Sequence, residues 1–200
     1  MDKKEIQRQR MMRYFIDAAK EIIKEEGIKG VTARSVGDRA GYSYATIYNY
    51  FNDLNTLLSY CVFDFLEDCY RYMLNFKDGK IDAREQIIIY AEAYFKYFAQ
   101  HPDMFKLIFV EDLGKPPKEL IESGMKPSVG VLLGENITSC AKQGYILEKD
   151  VELLQGLIGS SIHGKLLFFT QGRSVERLEV VIASLRKEIE FLMKGKEVEK

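Results

Sequence analysis

The sequence predicts an all-α protein: an N-terminal three-helix helix-turn-helix domain followed by a larger C-terminal helical domain, about nine helices in all. Three observations predict it. Apolar residues recur at three- and four-residue spacing through most of the chain, which lays them on one side of successive helices. Residues Thr32 to Asp53 hold two short helical segments separated by Gly41. Near the C-terminus, Val175, Leu178, Ile182, Leu185, Ile189 and Leu192 step by 3, 4, 3, 4, 3, an a/d heptad seam.

The first helix is expected from Glu5 to Glu26, with Met12, Phe15, Ile16, Ala19, Ile22 and Ile23 as its apolar stripe and Gly27 as its stop. In the next segment Thr32 is the N-cap, Val36 and Ala40 face inward, and Gly41 supplies the left-handed backbone that ends the helix. Ser43 then caps a helix from Tyr44 to Phe51, whose Ile47 and Phe51 face inward. Gly37, in mid-helix, reads as a close helix crossing. A cap at Asn52 or Asp53 starts a long helix to Phe76, with Leu54, Leu58, Cys61, Phe65, Cys69 and Tyr72 as its inner stripe. Its reach of roughly 33 Å suits a connector between a head, residues 1–53, and a body, residues 77–200.

The body opens at the turn Lys77–Lys80. Asp82 caps a helix to Gln100, and Pro102 sits in the first turn of the next, which runs to Glu111. A Pro- and Gly-rich loop from Gly114 to Pro127 carries a short helical piece at 118–122. Three more helices are expected over 128–143, 150–171 and 174–194.

The head's residues also resemble a known family. Ala18-Ala19, Gly27, Val31-Thr32, Ala40-Gly41, Ser43, Thr46-Ile47-Tyr48, Phe51 and Leu57 are similar to the N-terminal signature of the TetR family of bacterial transcriptional regulators. The resemblance covers the first quarter to third of the chain. It implies that the second short helix enters the major groove of an operator, with Tyr44, Thr46 and Asn49 at base edges. Ser43, Ala45, Tyr48, Tyr50 and Arg34 complete the expected DNA-binding set, Tyr48, Tyr50 and Arg34 on phosphates. The family usually has a lysine where this chain has Leu54, so one phosphate contact is missing or supplied elsewhere.

Charge agrees with a local rather than a general nucleic-acid surface. The formal net charge is −1, yet residues 3–13 gather Lys3, Lys4, Arg8, Arg10 and Arg13 against Glu5 alone. Beside a helix-turn-helix this basic end reads as a phosphate contact. No apolar run reaches the ~20 residues that span a bilayer, and the polar start is unlike a secretory signal, so no membrane partner and a cytoplasmic location are expected. Cys61, Cys69 and Cys140 form no C-x-x-C pair, and Cys61 and Cys69 share a helix face, which suits buried thiols or a redox sensor. Neither a nucleotide loop, a nucleophile elbow nor a metal-binding motif is present, so the chain is read as a non-enzyme without cofactor or metal.

The body is expected to hold a small apolar or aromatic effector. Tyr94, Phe98, Phe105, Phe109 and Phe168 supply aromatic walls, with Asn136, Ser161 and His163 as polar groups among them. Gly156, Ser160 and Gly164 make a small-residue stripe on which a helix approaches closely, either within the chain or across a dimer. The heptad seam is open to the same two readings. The resemblance favours a homodimer, with Gly156, Ser160, Gly164, Leu178, Ile182, Leu185 and Ile189 at the interface. The expected function is a sequence-specific repressor of a palindromic double-stranded operator, released by its effector. The alternative is a helical small-molecule-binding protein with a degenerate DNA-binding head.

Overall fold

The structure, a computed structural model, describes residues 2–122 and 127–194. The described residues form ten α-helices and no strand. The described residues gather into two compact units, 2–65 with 103–122, and 66–102 with 127–194. Helix α4 (Leu54–Leu74) runs through the change of unit between Phe65 and Leu66, upstream of the turn expected to mark the boundary. Residues 123–126 of the Gly114–Pro127 loop and residues 195–200 of the expected body lie outside the described residues.

The first unit is built on α1 (Lys3–Glu26), α2 (Ala33–Ala40), α3 (Tyr44–Ile47) and the start of α4. The α1 stripe buries Phe15, Ile16, Ala19, Ile22 and Ile23 as its spacing requires. Phe15 is the centre of an aromatic cluster, with ring centroids 5.6 Å from Tyr42, 5.8 Å from Tyr50 and 6.4 Å from Phe51. Burying such a ring contributes about 1.5–3 kcal/mol. Lys20 is buried to 7 % exposure, and its ammonium meets Asp64 at 3.1 Å and lies 5.2 Å from the Phe65 ring centroid. Arg13 bonds Asp17 and also Asp64, so α1 and α4 share one charge cluster. Burial pushes the Asp64 carboxyl up, but hydrogen bonds from Arg13 and Lys20 outweigh it and hold the group below the usual carboxylate range.

Residues 103–122 of the same unit hold all but the first residue of α6 (Pro102–Phe109), with Met104, Phe105 and Leu107 buried, and α7 (Lys118–Glu122). Helix α6 stops two residues short of the expected Glu111. Its final amides turn back together, Val110 and Glu111 both donating to Lys106 O.

In the second unit, α5 (Ala83–Gln100) touches each of α8 (Ser128–Lys142), α9 (Val151–Thr170) and α10 (Leu178–Leu192). Helix α5 buries Ile87, Ile88, Ala91, Tyr94, Phe95 and Phe98. Asp82 caps the helix through the amide of Glu85 at 3.0 Å. Gln86, itself buried, ties down the preceding turn by accepting from the Asp78 amide and donating to Phe76 O. Glu67 accepts both the amide and the hydroxyl of Ser128 at 2.9 Å, closing the N-terminus of α8.

The heptad seam packs largely within the chain. Helix α10 begins at Leu178, leaving Val175 fully exposed. Ile182, Leu185 and Ile189 are buried within the chain at 9 %, 0 % and 0 % exposure, and Leu178 is half-buried. The seam is therefore core, because α5 and α9 already cover it. The outward apolar face belongs to α9 instead. While Leu154, Ile158, Ile162 and Leu166 face in, the opposite side shows Leu153, Leu157, Leu167 and Phe168 with Gly156, Ser160 and Gly164 between them.

Candidate nucleic-acid interface

The head positions its short helix by local chemistry. Thr32 caps α2 in a reciprocal box with Ser35: each side chain takes the other residue's amide, at 3.0 and 2.9 Å. At the other end Gly41 takes φ 78° and ψ 25°, and two reversed bonds follow, Gly41 N to Asp38 O and Tyr42 N to Gly37 O. That pairing is a Schellman stop, and it turns the chain straight into α3. Gly37 lies where α2 meets this turn. A Cβ there would stand 2.9 Å from Tyr42 O and 3.0 Å from Tyr44 N, so only glycine permits the approach. The propensity cost of a mid-helix glycine is thus exchanged for a fixed angle between the two helices.

Regular α3 covers only Tyr44–Ile47, with residues 48–50 continuing as a turn, shorter than the expected Tyr44–Phe51 helix. The amides of Asn49 and Tyr50 bond three residues back, tightening the backbone before Phe51. Ile47 and Phe51, each 1 % exposed, anchor the segment as expected. Ser43 occupies the N-cap position, but its hydroxyl pairs with the Thr46 hydroxyl at 2.9 Å and caps no backbone amide. Tyr44 and Tyr48 stand 60 % and 51 % exposed, and Ser43, Ala45 and Asn49 share that outward surface. Thr46 and Tyr50 are half-buried. The face carries hydroxyls and an amide on a rigid base, with no charge of its own.

The cations around it divide into two groups. Arg34 is exposed and meets Asp38 only at 3.9 Å, a loose surface pair open to exchange for another anion. Arg13 is drawn into the Asp17 and Asp64 cluster, which raises its pKa further, and Arg8 turns toward α3. Of the basic end, Lys3, Lys4 and Arg10 stay on the exposed surface of α1. Leu54 itself carries no charge. That side chain is half-buried at the first position of α4, and the preceding Asp53 takes the Thr56 amide at 2.6 Å. This bond and one from the Thr56 hydroxyl hold the Asp53 carboxyl below its ordinary range. A carboxylate thus occupies the helix N-terminus that a phosphate would use.

Residues 15–61 match the family model described as bacterial regulatory proteins, tetR family. Over these residues the chain is similar to the N-terminal domain of that family. The match supports a role in DNA-binding regulation for this head. Whole-chain similarity to solved structures extends the fold to the body. The fatty acid degradation regulator FadR from Bacillus halodurans is 19% identical with a TM-score of 0.68, over 94% of this chain and 97% of that one. RolR in complex with the ligand resorcinol is 14% identical with a TM-score of 0.70, over 94% and 95%. A putative tetR family transcription regulator from Shewanella sp. PV-4 is 15% identical with a TM-score of 0.65, over 92% and 96%. No curated protein sequence matches the chain.

In the body, the expected effector residues are only partly assembled. Tyr94 and Phe98 pack at 4.8 Å, and the Tyr94 hydroxyl meets His163 Nε2 at 2.9 Å. Burial lowers the His163 pKa and raises that of Tyr94, so the pair is neutral. Phe105 and Phe109 belong to the first unit and stack on each other at 5.1 Å. Phe168 is 55 % exposed, on the outer side of α9. Ser161 donates to Glu188, and the Asn136 amide bonds Leu132 O of its own helix. Glu188, which also meets Lys165 at 2.7 Å, was invisible in the sequence because it sits in an ordinary charged helical face.

The thiols are settled by burial. Cys61, Cys69 and Cys140 are all buried, with the Cys61 thiol pushed up to about 12 and Cys140 to about 11. Thiols held protonated in this way are inert, which removes the redox-sensor reading. No helix among the described residues is long and apolar enough to cross a membrane.

Proposed function

We propose that this chain is a homodimeric transcriptional repressor that reads a palindromic operator with the α3 surface and leaves it on binding a small apolar or aromatic effector. The observation that carries the reading is the exposed, charge-free set of Tyr44, Ala45, Tyr48 and Asn49 on a helix locked from behind by Ile47, Phe51 and the Gly37 contact. Hydroxyl and amide groups at such a surface hydrogen-bond base edges, while Arg34, Lys3, Lys4 and Arg10 supply the phosphate attraction. Two heads read half-sites about 34 Å apart.

Dimerisation runs through the outer face of α9, where Gly156, Ser160 and Gly164 allow close approach and Leu153, Leu157 and Leu167 supply the apolar area. The effector binds around Tyr94, Phe98 and His163, a mainly aromatic group with one polar pair. The resorcinol complex among the similar structures supports an aromatic ligand. Release follows from differential affinity: the effector prefers a conformation in which the heads are wrongly spaced.

A duplex selected from random sequence by the protein provides the test. Its affinity should fall steeply with rising salt, and effector candidates should bind the free protein more tightly than the complex. A protein that shifts no duplex would support the rival reading, a helical binding protein with a degenerate head, for which Leu54 and the Asp53 cap are the specific observations.

A further inference from the structure

The basic end of α1 looks uniform in sequence, but Arg8 differs from its neighbours in what it touches. Its Nη1 donates to Asn49 O and its Nη2 to Tyr50 O, both at 3.3 Å. Its guanidinium carbon lies 5.8 Å from the centroid of the Tyr50 ring, and that ring also packs against Phe15. These carbonyls lie at the end of the DNA-reading segment. The segment's own backbone bonds end on Thr46 O and Ile47 O, so Asn49 O and Tyr50 O fall beyond the last turn. A cation is favoured at that end by the helix dipole as well as by the two acceptors.

We propose that Arg8 is a positioning residue for the DNA-reading turn. It bridges two consecutive carbonyls of residues 49 and 50 and closes over Tyr50, fixing the orientation of Tyr48 and Asn49, and it does not act as a phosphate contact. The proposal rests on the DNA-binding reading above. A regular helix of four residues cannot hold its own conformation, so outside contacts decide how often the turn is ordered. Without the bridge, only the ordered fraction binds, and apparent affinity drops by that fraction.

Guanidinium chemistry makes the proposal testable. A planar fork reaches two neighbouring carbonyls and stacks on a ring, whereas a lysine ammonium is a single point charge. Arg8→Lys is therefore mild for a phosphate contact and severe for a bridge. Arg8 is exposed, so the variants fold. Wild type, Arg8→Lys and Arg8→Ala are compared on the wild-type-selected duplex over a salt series, with amide hydrogen exchange of residues 49–51 measured on the free protein.

Both variants should bind about tenfold more weakly, the scale of one charge-assisted hydrogen bond. Their salt slopes should match the wild type, and the Tyr50 and Phe51 amides should exchange faster. Wild-type affinity in Arg8→Lys, or a salt slope lower by about 0.9 per subunit in Arg8→Ala, would make Arg8 a phosphate contact and overturn the proposal. Unchanged exchange would overturn it too, whatever the affinity does. If the wild type binds no duplex, the DNA-binding reading fails, and exchange on the free protein alone decides the bridge.

Discussion

Helices α3 and α9 both turn an uncovered face to solvent, and the two faces have opposite chemistry. That of α3 shows Tyr44, Ala45, Tyr48 and Asn49 on a short segment fixed by a capping box, a Schellman turn and two buried anchors. That of α9 shows Leu153, Gly156, Leu157, Ser160, Gly164 and Leu167, on a helix whose other side is also apolar. Hydroxyl and amide groups lose little by facing water and gain specificity from a polar partner. Apolar surface costs about 25 cal/mol for each Å² left in water, so a face like that of α9 calls for another apolar face. The difference teaches that partner class is set by which groups are exposed, whereas helical spacing alone fixes only which groups lie together.

The largest effect that would break this contrast is expected at Leu157. Leu157→Glu should turn the dimer into a monomer in sedimentation velocity, because a carboxylate enters the centre of the α9 face. Val175→Glu, at a fully exposed seam position, should leave the dimer intact. The reverse result would return the interface to the heptad seam.

The glycines sharpen the contrast next. Gly37→Val should cost about 1–3 kcal/mol in urea unfolding, because the new side chain meets backbone atoms of Tyr42 and Tyr44 that cannot yield. At Gly164 a Cβ meets nothing within 4 Å inside the chain. Gly164→Ala should therefore raise helix stability by about 1 kcal/mol while weakening dimer association. Equal losses of stability at both sites would mean that the α9 stripe is not an interface.

The smallest effect concerns pH. Burial holds the His163 pKa below its ordinary value, so the unfolded chain binds the extra proton more readily. Its contribution is complete above about pH 6.5 and is lost as pH falls through the lowered folded value. Thermal melts at about pH 7.5 and 5.5 should show a smaller acid-induced drop in His163→Gln than in the wild type. An identical drop would show that His163 is not a buried neutral partner of Tyr94.

Much of the head was legible because its signals are local. Thr32, Gly41 and Asp53 act within four residues of themselves, and Gly37 announced a close approach by its cost to the helix. The seam stayed open to two readings for a physical reason: the spacing of Ile182, Leu185 and Ile189 groups them on one face without saying which helix covers it. Phe105 and Phe109 resemble pocket residues by composition, yet the chain returns α6 to the first unit, a tertiary fact no local pattern carries. Arg8 and Arg13 were similarly indistinguishable from Lys3 and Arg10 until their partners, 42 and 51 residues away at the farthest, were in place.

The central claim is that one face reads DNA while the other pairs two copies to do so. The direct measurement is a titration of the selected duplex at several salt concentrations with the stoichiometry read by sedimentation. Two chains per duplex, with an affinity that falls steeply as salt rises, is the predicted result. One chain per duplex, or an affinity indifferent to salt, would contradict it.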